Sequence, residues 1–209
     1  MYKSQIPEQW VIIRISTEDN IDIPDYKVFG GWRGGYLDGD RWKLNSGITS
    51  VEEDDDYYYF SGVSGSCYKC HKSAGLAIIY DNKILLGHTT SRGWGFSYGI
   101  PKGGIEEGES KIDAAIRETK EEVGITIPKK LIDKTEHTFL VGNNKIVYYY
   151  IVQISELSQI GLKDLKIPKK QLQIEEVDWA GFSTYNEATK MIMKSQEVLI
   201  DNLYKRGLI

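Results

Sequence analysis

The chain has few cysteines, no long apolar runs and little excess charge of either sign. Its 209 residues include only two cysteines, Cys67 and Cys70, which excludes a disulfide framework as the basis of stability. Apolar runs such as Gly75 to Tyr80 fall far short of the roughly 18 residues that a membrane-spanning helix needs. The N-terminus carries no basic-then-apolar leader, so the expected location is the cytoplasm. With 26 Lys and Arg against 30 Asp and Glu, the net charge is -4, which offers no global attraction for a polyanion such as duplex DNA. Any nucleic-acid contact has to be local. No low-complexity stretch or internal repeat stands out. What remains, 41% hydrophobic and 27% charged residues, is a globular composition long enough for one domain with a small companion.

The texture changes near residue 72. Before it lie Trp10, Trp32, Trp42, seven tyrosines and the pairs Gly30-Gly31 and Gly34-Gly35, an aromatic and turn-rich segment. Short runs at Val11 to Ile15, Asp40 to Leu44, Ile48 to Val51 and Tyr57 to Phe60 predict several short strands and no helix. This segment has 8 basic and 12 acidic residues, so the whole excess of -4 belongs to it. Its most acidic run, Glu52 to Asp56, reads as a solvated turn between strands, with a metal site as the alternative. From residue 73 strands and helices alternate, which predicts an α+β domain over 73–209 after a mostly-β module over 1–72. Ala74 to Tyr80 and Lys83 to His88 read as strands joined at Asp81-Asn82. Lys134 to Val141 and Lys145 to Ile154 read as a hairpin turning at Gly142-Asn143-Asn144, and Glu176 to Phe182 as a third strand. Two helical stretches follow, near Tyr185 to Met193 and Gln196 to Tyr204.

The chemistry concentrates in one helix, predicted over Ser110 to Val123 from the stripe Ile112, Ala115, Ile116, Thr119 and Val123, with Ser110 as N-cap and Gly124 as the stop. Glu118, Glu121 and Glu122 stand at i, i+3 and i+4 on one face, near the end where carboxylates oppose the helix dipole. Local rules do not select such a cluster. A hard divalent cation reverses the sign of the repulsion, and Mg²⁺ or Mn²⁺ takes remaining ligands from water and substrate phosphate. The plainer reading is a solvated acidic face balanced by Arg117 and Lys120.

The preceding loop decides between them. Gly103, then Glu109, Arg117-Glu118, Glu121-Glu122 and Gly124-Ile125, at those spacings, resemble the signature of the Nudix hydrolase family, with every invariant position present. One departure is Thr119, where the family usually has an aliphatic residue. The resemblance covers roughly residues 73–205 and implies an α/β/α sandwich around a mixed sheet. It implies Glu118, Glu121 and Glu122 as Mg²⁺ ligands, with Mn²⁺ as a substitute, Gly103 adding a backbone carbonyl, and a Glu109–Arg117 ion pair fixing the loop. It also implies a general base shortly before the strand that carries Trp179. Glu175 ranks first for that role, since Gln173 holds the position six before Trp179, and Glu122 and Glu136 are the alternatives.

The segment Trp94 to Gly104, with Pro101-Lys102-Gly103, is similar to Nudix branches acting on dinucleoside polyphosphates, diphosphoinositol polyphosphates and RNA 5′ ends. Lys102 is a candidate phosphate contact, and Trp94, Phe96 and Tyr98 are candidates for stacking a nucleobase. Tyr148-Tyr149-Tyr150 reads first as packing on both faces of a buried strand. The expected function is Mg²⁺-dependent hydrolysis of a phosphoanhydride in a nucleoside polyphosphate, a dinucleoside polyphosphate or an RNA 5′ end. The alternatives are an ADP-ribose, NADH or oxidised-nucleotide pyrophosphatase and, in another class, a non-catalytic nucleotide sensor. The intact Glu118, Glu121 and Glu122 speak against the sensor. Cys67-Tyr68-Lys69-Cys70-His71 has the pattern of a haem attachment or half a zinc site, but strand alternation would put Cys70 on the face opposite Cys67 and His71, so a structural strand is favoured. The N-terminal segment is similar to small β modules in tailed-phage proteins, which would place such an enzyme in the host cytoplasm.

Overall fold

The computed structural model describes residues 5–7, 9–15, 25–35, 39–54, 57–90, 98–141 and 145–209. The chain divides into two compact units. One comprises Met1–Lys72 with Glu106–Gly108 and Leu140–Lys145, and the other comprises Ser73–Ile105, Glu109–Phe139 and Ile146–Ile209. No helix among the described residues is long and apolar enough to cross a membrane.

The first unit holds two three-stranded antiparallel sheets. One orders β1 (Gln9–Ile15), β2 (Asp25–Gly35) and β3 (Gly39–Leu44), and the other orders β4 (Ile48–Glu53), β5 (Tyr57–Gly62) and β6 (Cys67–His71). Its core is built of rings. Trp10 packs on Tyr58 and Phe60 with centroids 5.9 and 5.3 Å apart, Trp32 lies 6.4 Å from Tyr68, and Val28 and Cys70 are fully buried. Buried Asn45 accepts a hydrogen bond from the Val28 N–H at 2.9 Å. The glycine pair expected to mark a turn, Gly30-Gly31, instead lies inside β2. A Cβ on Gly31 would enter the Trp42 ring, 2.5 Å from its nearest atom, so glycine serves close approach there and not chain reversal. In β6 the side chains alternate as expected, with Cys70 buried and Cys67 and His71 half-exposed. The acidic run forms the β4–β5 connection at its described residues: Asp54 Oδ1 accepts the Tyr57 N–H at 2.7 Å, and buried Lys72 pairs with Glu53 at 3.1 Å.

The second unit is built on a mixed sheet in the order β11-β12-β7-β8-β13, with two short additions. Its strands are β7 (Ser73–Tyr80), β8 (Lys83–Thr89), β9 (Tyr98–Gly99), β10 (Lys102–Gly104), β11 (His137–Val141), β12 (Lys145–Ile154) and β13 (Val177–Thr184), and its helices are α1 (Lys111–Val123), α2 (Tyr185–Met191) and α3 (Glu197–Lys205). β7 and β8 turn back at Asp81 and Asn82, both left-handed at φ 48° and 54°, the conformation of a tight hairpin turn that Asp and Asn tolerate. β12 runs parallel to β7, β9 pairs with β8 and β10 pairs with β7, all in register. The hairpin residues expected at 142–144 lie outside the described residues, while β11 and β12 are neighbours in the sheet.

Alternation along β12 sorts its side chains to two faces. Tyr148, Tyr150 and Val152 join Leu76, Ile78, Leu85 and the α1 residues Ala114 and Ala115 in one aliphatic-rich core. Tyr149 and Ile151 point the other way, toward Leu199 and Leu203 of α3. Helices thus cover both faces of the sheet. The triple tyrosine packs on both sides of a buried strand, as alternation predicts.

Candidate active site

α1 starts where Ser110 caps it, accepting the Asp113 N–H at 3.1 Å, and ends at Gly124 with φ 69°, so the caps fix which residues form its last turn. Thr119 occupies a fully buried position despite its hydroxyl because Oγ1 donates to the Ala115 carbonyl at 2.8 Å, a local partner that satisfies the polar atom. The departure from an aliphatic residue therefore costs little.

One arginine organises the loop against the helix. Arg117 donates from Nε and Nη2 to the Glu109 carboxylate, both at 3.0 Å, from Nη2 to the Gly104 carbonyl at 2.7 Å, and from Nη1 to Glu118 and Glu121 at 2.8 and 3.0 Å. Burial pulls the guanidinium pKa down, but the hydrogen bonds it donates to Glu109 and Glu118 outweigh that pull and hold the group firmly charged. Glu109 and Arg117, spaced eight residues apart in sequence, are thus brought together. The Glu118 carboxylate occupies the space where a side chain on Gly103 would begin, so β10 approaches α1 only because residue 103 is glycine. Glu122 accepts the Lys102 N–H at 3.3 Å.

These carboxylates are crowded. Burial raises Glu118 above its ordinary value against the opposing pull of Arg117, with Glu121 and Glu176 adding repulsion. Burial also pushes Glu122 up to about 8, with Lys102 opposing and Glu118 and Glu176 reinforcing. Among the described residues no three or more His, Cys, Asp or Glu side chains are gathered closely enough to hold a metal ion. The reason is visible in the contacts: Arg117 draws Glu118 and Glu121 to itself, while Glu122 lies toward the β10 backbone. The donor set nevertheless fits a hard cation, since three carboxylates and the Gly103 peptide lie on adjoining elements and burial raises two of the acids, a cost that a bound cation would offset.

The acid that meets this cluster from outside the helix is Glu176. Glu175 beside it is exposed, and its backbone carbonyl accepts the Thr90 hydroxyl at 2.5 Å. Glu176 is half-buried, its carboxylate acts on both Glu118 and Glu122, and its segment is tied to α1 through the Gln173 N–H, which donates to the Glu122 carbonyl at 3.2 Å. Alternation from buried Val177 supplied no signal, because residues 173–176 form a turn and not a strand. Glu136 is engaged elsewhere, 3.1 Å from both the Lys111 ammonium and the Tyr150 hydroxyl.

Of the expected substrate contacts, Lys102 is half-buried beside Glu122. Tyr98 sits in an aromatic cluster, 4.8 Å from His88 and 5.3 Å from Trp179, with His88 Nδ1 2.6 Å from Asp178. Trp94 and Phe96 lie outside the described residues. A cavity of about 370 Å³, not foreseen from the sequence, opens between the sheet and α3, lined by His137, Tyr149, Ile151, Leu199, Asn202 and Arg206. Tyr149 connects it to the carboxylates: its ring lies 3.1 Å from where a Cβ on Gly75 would be, beside Lys102, and Glu122 raises its phenol further after burial has done so. Burial, with Arg206 adding to it, holds His137 below its ordinary value.

The NUDIX domain family matches residues 70–200 of the chain, which belongs to that family. The mRNA-decapping enzyme subunit 2 of Saccharomyces cerevisiae is 34% identical over 111 residues, 52% of this chain and 10% of the yeast protein. An RNA pyrophosphohydrolase from a Sulfurovum species is 30% identical over 122 residues, 53% of this chain and 75% of the relative. The match therefore spans about a tenth of the yeast relative's length. A crystal structure of a Caenorhabditis elegans Ap4A hydrolase complex shares the fold with a TM-score of 0.50 at 23% identity, covering 65% of this chain and 98% of that one.

Proposed function

We propose that the chain is a divalent-metal-dependent pyrophosphohydrolase that cleaves a phosphoanhydride at the 5′ end of RNA or in a nucleoside or dinucleoside polyphosphate. The observation that carries this reading is the meeting of Glu118 and Glu122, both raised by burial, at the backbone of Gly103 and Lys102, with the Glu176 carboxylate acting on both. Relatives named for mRNA decapping and RNA pyrophosphate hydrolysis support the RNA end over the small-molecule alternatives.

Glu118, Glu121, Glu122 and the Gly103 carbonyl would hold Mg²⁺ or Mn²⁺, which when bound supplies positive charge to the anhydride oxygens. Arg117 keeps the loop and helix in one arrangement by bridging Glu109 and Gly104. Lys102 offers a point charge to a neighbouring phosphate. In the reaction a water oxygen adds to phosphorus, the bridging P–O bond breaks and the leaving phosphate departs. Glu176 takes the water's proton, a role to which its half-buried position beside the cluster suits it better than exposed Glu175. The cavity beside Tyr149 seats the nucleoside end. Purified full-length chain with Mg²⁺ should release phosphate or nucleotide from a panel of 5′-triphosphate RNA, capped RNA and nucleoside and dinucleoside polyphosphates. No release from any member would sink the reading. Glu121→Gln should remove turnover while circular dichroism stays native, and wild-type rates in that variant would reject the ligand assignment.

A further inference from the structure

The same four residues occur twice around α1, as Ile127-Pro128-Lys129-Lys130 and Ile167-Pro168-Lys169-Lys170. Each makes a short 3-10 turn capped by proline at nearly the same backbone angles, φ -63° and ψ 127° for Pro128 against φ -61° and ψ 133° for Pro168. Each is pinned at both ends by buried aliphatics, Ile127 and Ile132 in one and Ile167 and Leu172 in the other, while neither buries a residue of the turn itself. Anchoring of this kind leaves the lysines to solvent. All four are exposed.

The two turns bracket the helix. Lys129 pairs with Asp113 in its first turn, while Gln171 lies against Gly124 at its C-cap and the Gln173 N–H bonds the Glu122 carbonyl. Asp113 to Gly124 is eleven residues, about 16 Å along an α-helix. Lys163 and Lys166 extend the second turn, and between residues 157 and 173 only Asp164 offsets four lysines. The side chains of Lys130, Lys163, Lys166, Lys169 and Lys170 make no ion pair or hydrogen bond among the described residues. Exposed lysines gathered on two short turns raise the local positive potential that the phosphates of a polyanion would meet.

We infer that these twin turns form a cationic flank that holds the ribose-phosphate backbone of single-stranded RNA whose 5′ end enters the carboxylate site. The inference rests on the proposed phosphoanhydride hydrolysis and names its substrate as a polynucleotide. Lysines are point charges that suit phosphates repeated along a chain, and the second turn adjoins the helix end that carries Glu122. Exposed Leu165 and Ile174 beside the strip make an anionic membrane the rival occupant.

The test is fluorescence anisotropy of the full chain with 5′-hydroxyl oligoribonucleotides, a dinucleotide and one of about twelve nucleotides. These probes carry no anhydride, so binding is read whether or not the site hydrolyses. The longer probe should bind the wild type more tightly than the dinucleotide. Lys129→Gln, Lys130→Gln, Lys169→Gln and Lys170→Gln combined should weaken the longer probe about tenfold or more and shallow the salt dependence by about 0.7 for each phosphate that is no longer neutralised. The same change at exposed Lys190, Lys194 and Lys205 should leave affinity as in the wild type. Each pair of lysines changed alone should weaken it about threefold, which keeps the test decisive if the quadruple variant fails to fold. Equal affinity in wild type and turn variants, equal loss in the control, length-independent binding, or binding to phosphatidylserine vesicles without binding to RNA would each overturn the inference.

Discussion

The two units build their interiors from different materials. The N-terminal unit packs Trp10, Tyr58 and Phe60 against one another and Tyr68 against Trp32, whereas the NUDIX unit packs Leu76, Ile78, Leu85, Val123, Ile125 and their neighbours. A short chain with few aliphatics gains most burial per residue from rings, each of which covers roughly 150–250 Å². The larger unit has aliphatic burial enough to hold Glu118 and Glu122 in a crowded, partly desolvated cluster, an arrangement that opposes folding. The difference teaches that the charge of the molecule is divided by role: the excess of acids lies in residues 1–72, while residues 73–209, neutral overall, concentrate their strained acids on one turn of one helix.

Changing that turn's neighbour should have the largest effect. Glu176→Gln is expected to lower kcat about 10²–10⁴-fold with KM little changed, as for loss of a general base, while Glu175→Gln stays close to the wild type. Steady-state kinetics on the best substrate of the panel decides it, and the reverse order would return the base to Glu175. Next in size, Trp10→Ala should destabilise the ring-packed unit by about 3–5 kcal/mol, because the cavity left among Tyr58 and Phe60 cannot collapse fully. Hydrogen exchange should show β1 and β5 amides losing protection while β7 and β8 amides keep theirs. Uniform loss would erase the distinction between the two cores.

The smallest effect is one of pH. Glu122 titrates at about 8 in the folded chain against 4.5 unfolded, so the native state binds the extra proton between those values. Stability of the metal-free protein is therefore fullest below pH 4.5 as far as this group is concerned, and falls as pH rises toward 8. Thermal melts in chelator should show Tm decreasing across that window, by about 2–4 °C for each kcal/mol, and Glu122→Gln should flatten the slope. An unchanged slope in the variant would show that Glu122 is not the strained acid.

Much of the site was legible in the order of residues. The cap at Ser110, the stop at Gly124 and the one-sided acids of α1 are local matters, set by caps and by a period of 3.6, and the structure has them where the pattern puts them. The Asp81-Asn82 turn and the two-faced tyrosines of β12 follow from equally local rules. Gly30-Gly31 misled because a glycine that admits a ring and a glycine that turns the chain look alike until the partner, here Trp42, is in place. That Glu176, and not Glu175, turns toward Glu118 and Glu122 was hidden because a turn carries no alternation.

Sequence alone determined the NUDIX signature, its helix and the family, since each rests on spacings within about twenty residues. Tertiary structure decided the rest: that Arg117 gathers Glu109, Glu118 and Glu121 at once, that Glu176 meets Glu118 and Glu122, that Tyr149 lines a cavity under α3, and that two Ile-Pro-Lys-Lys turns forty residues apart flank one helix. These are meetings between segments distant in the chain, and burial and charge at such meetings come into being only when the sheet brings the segments together.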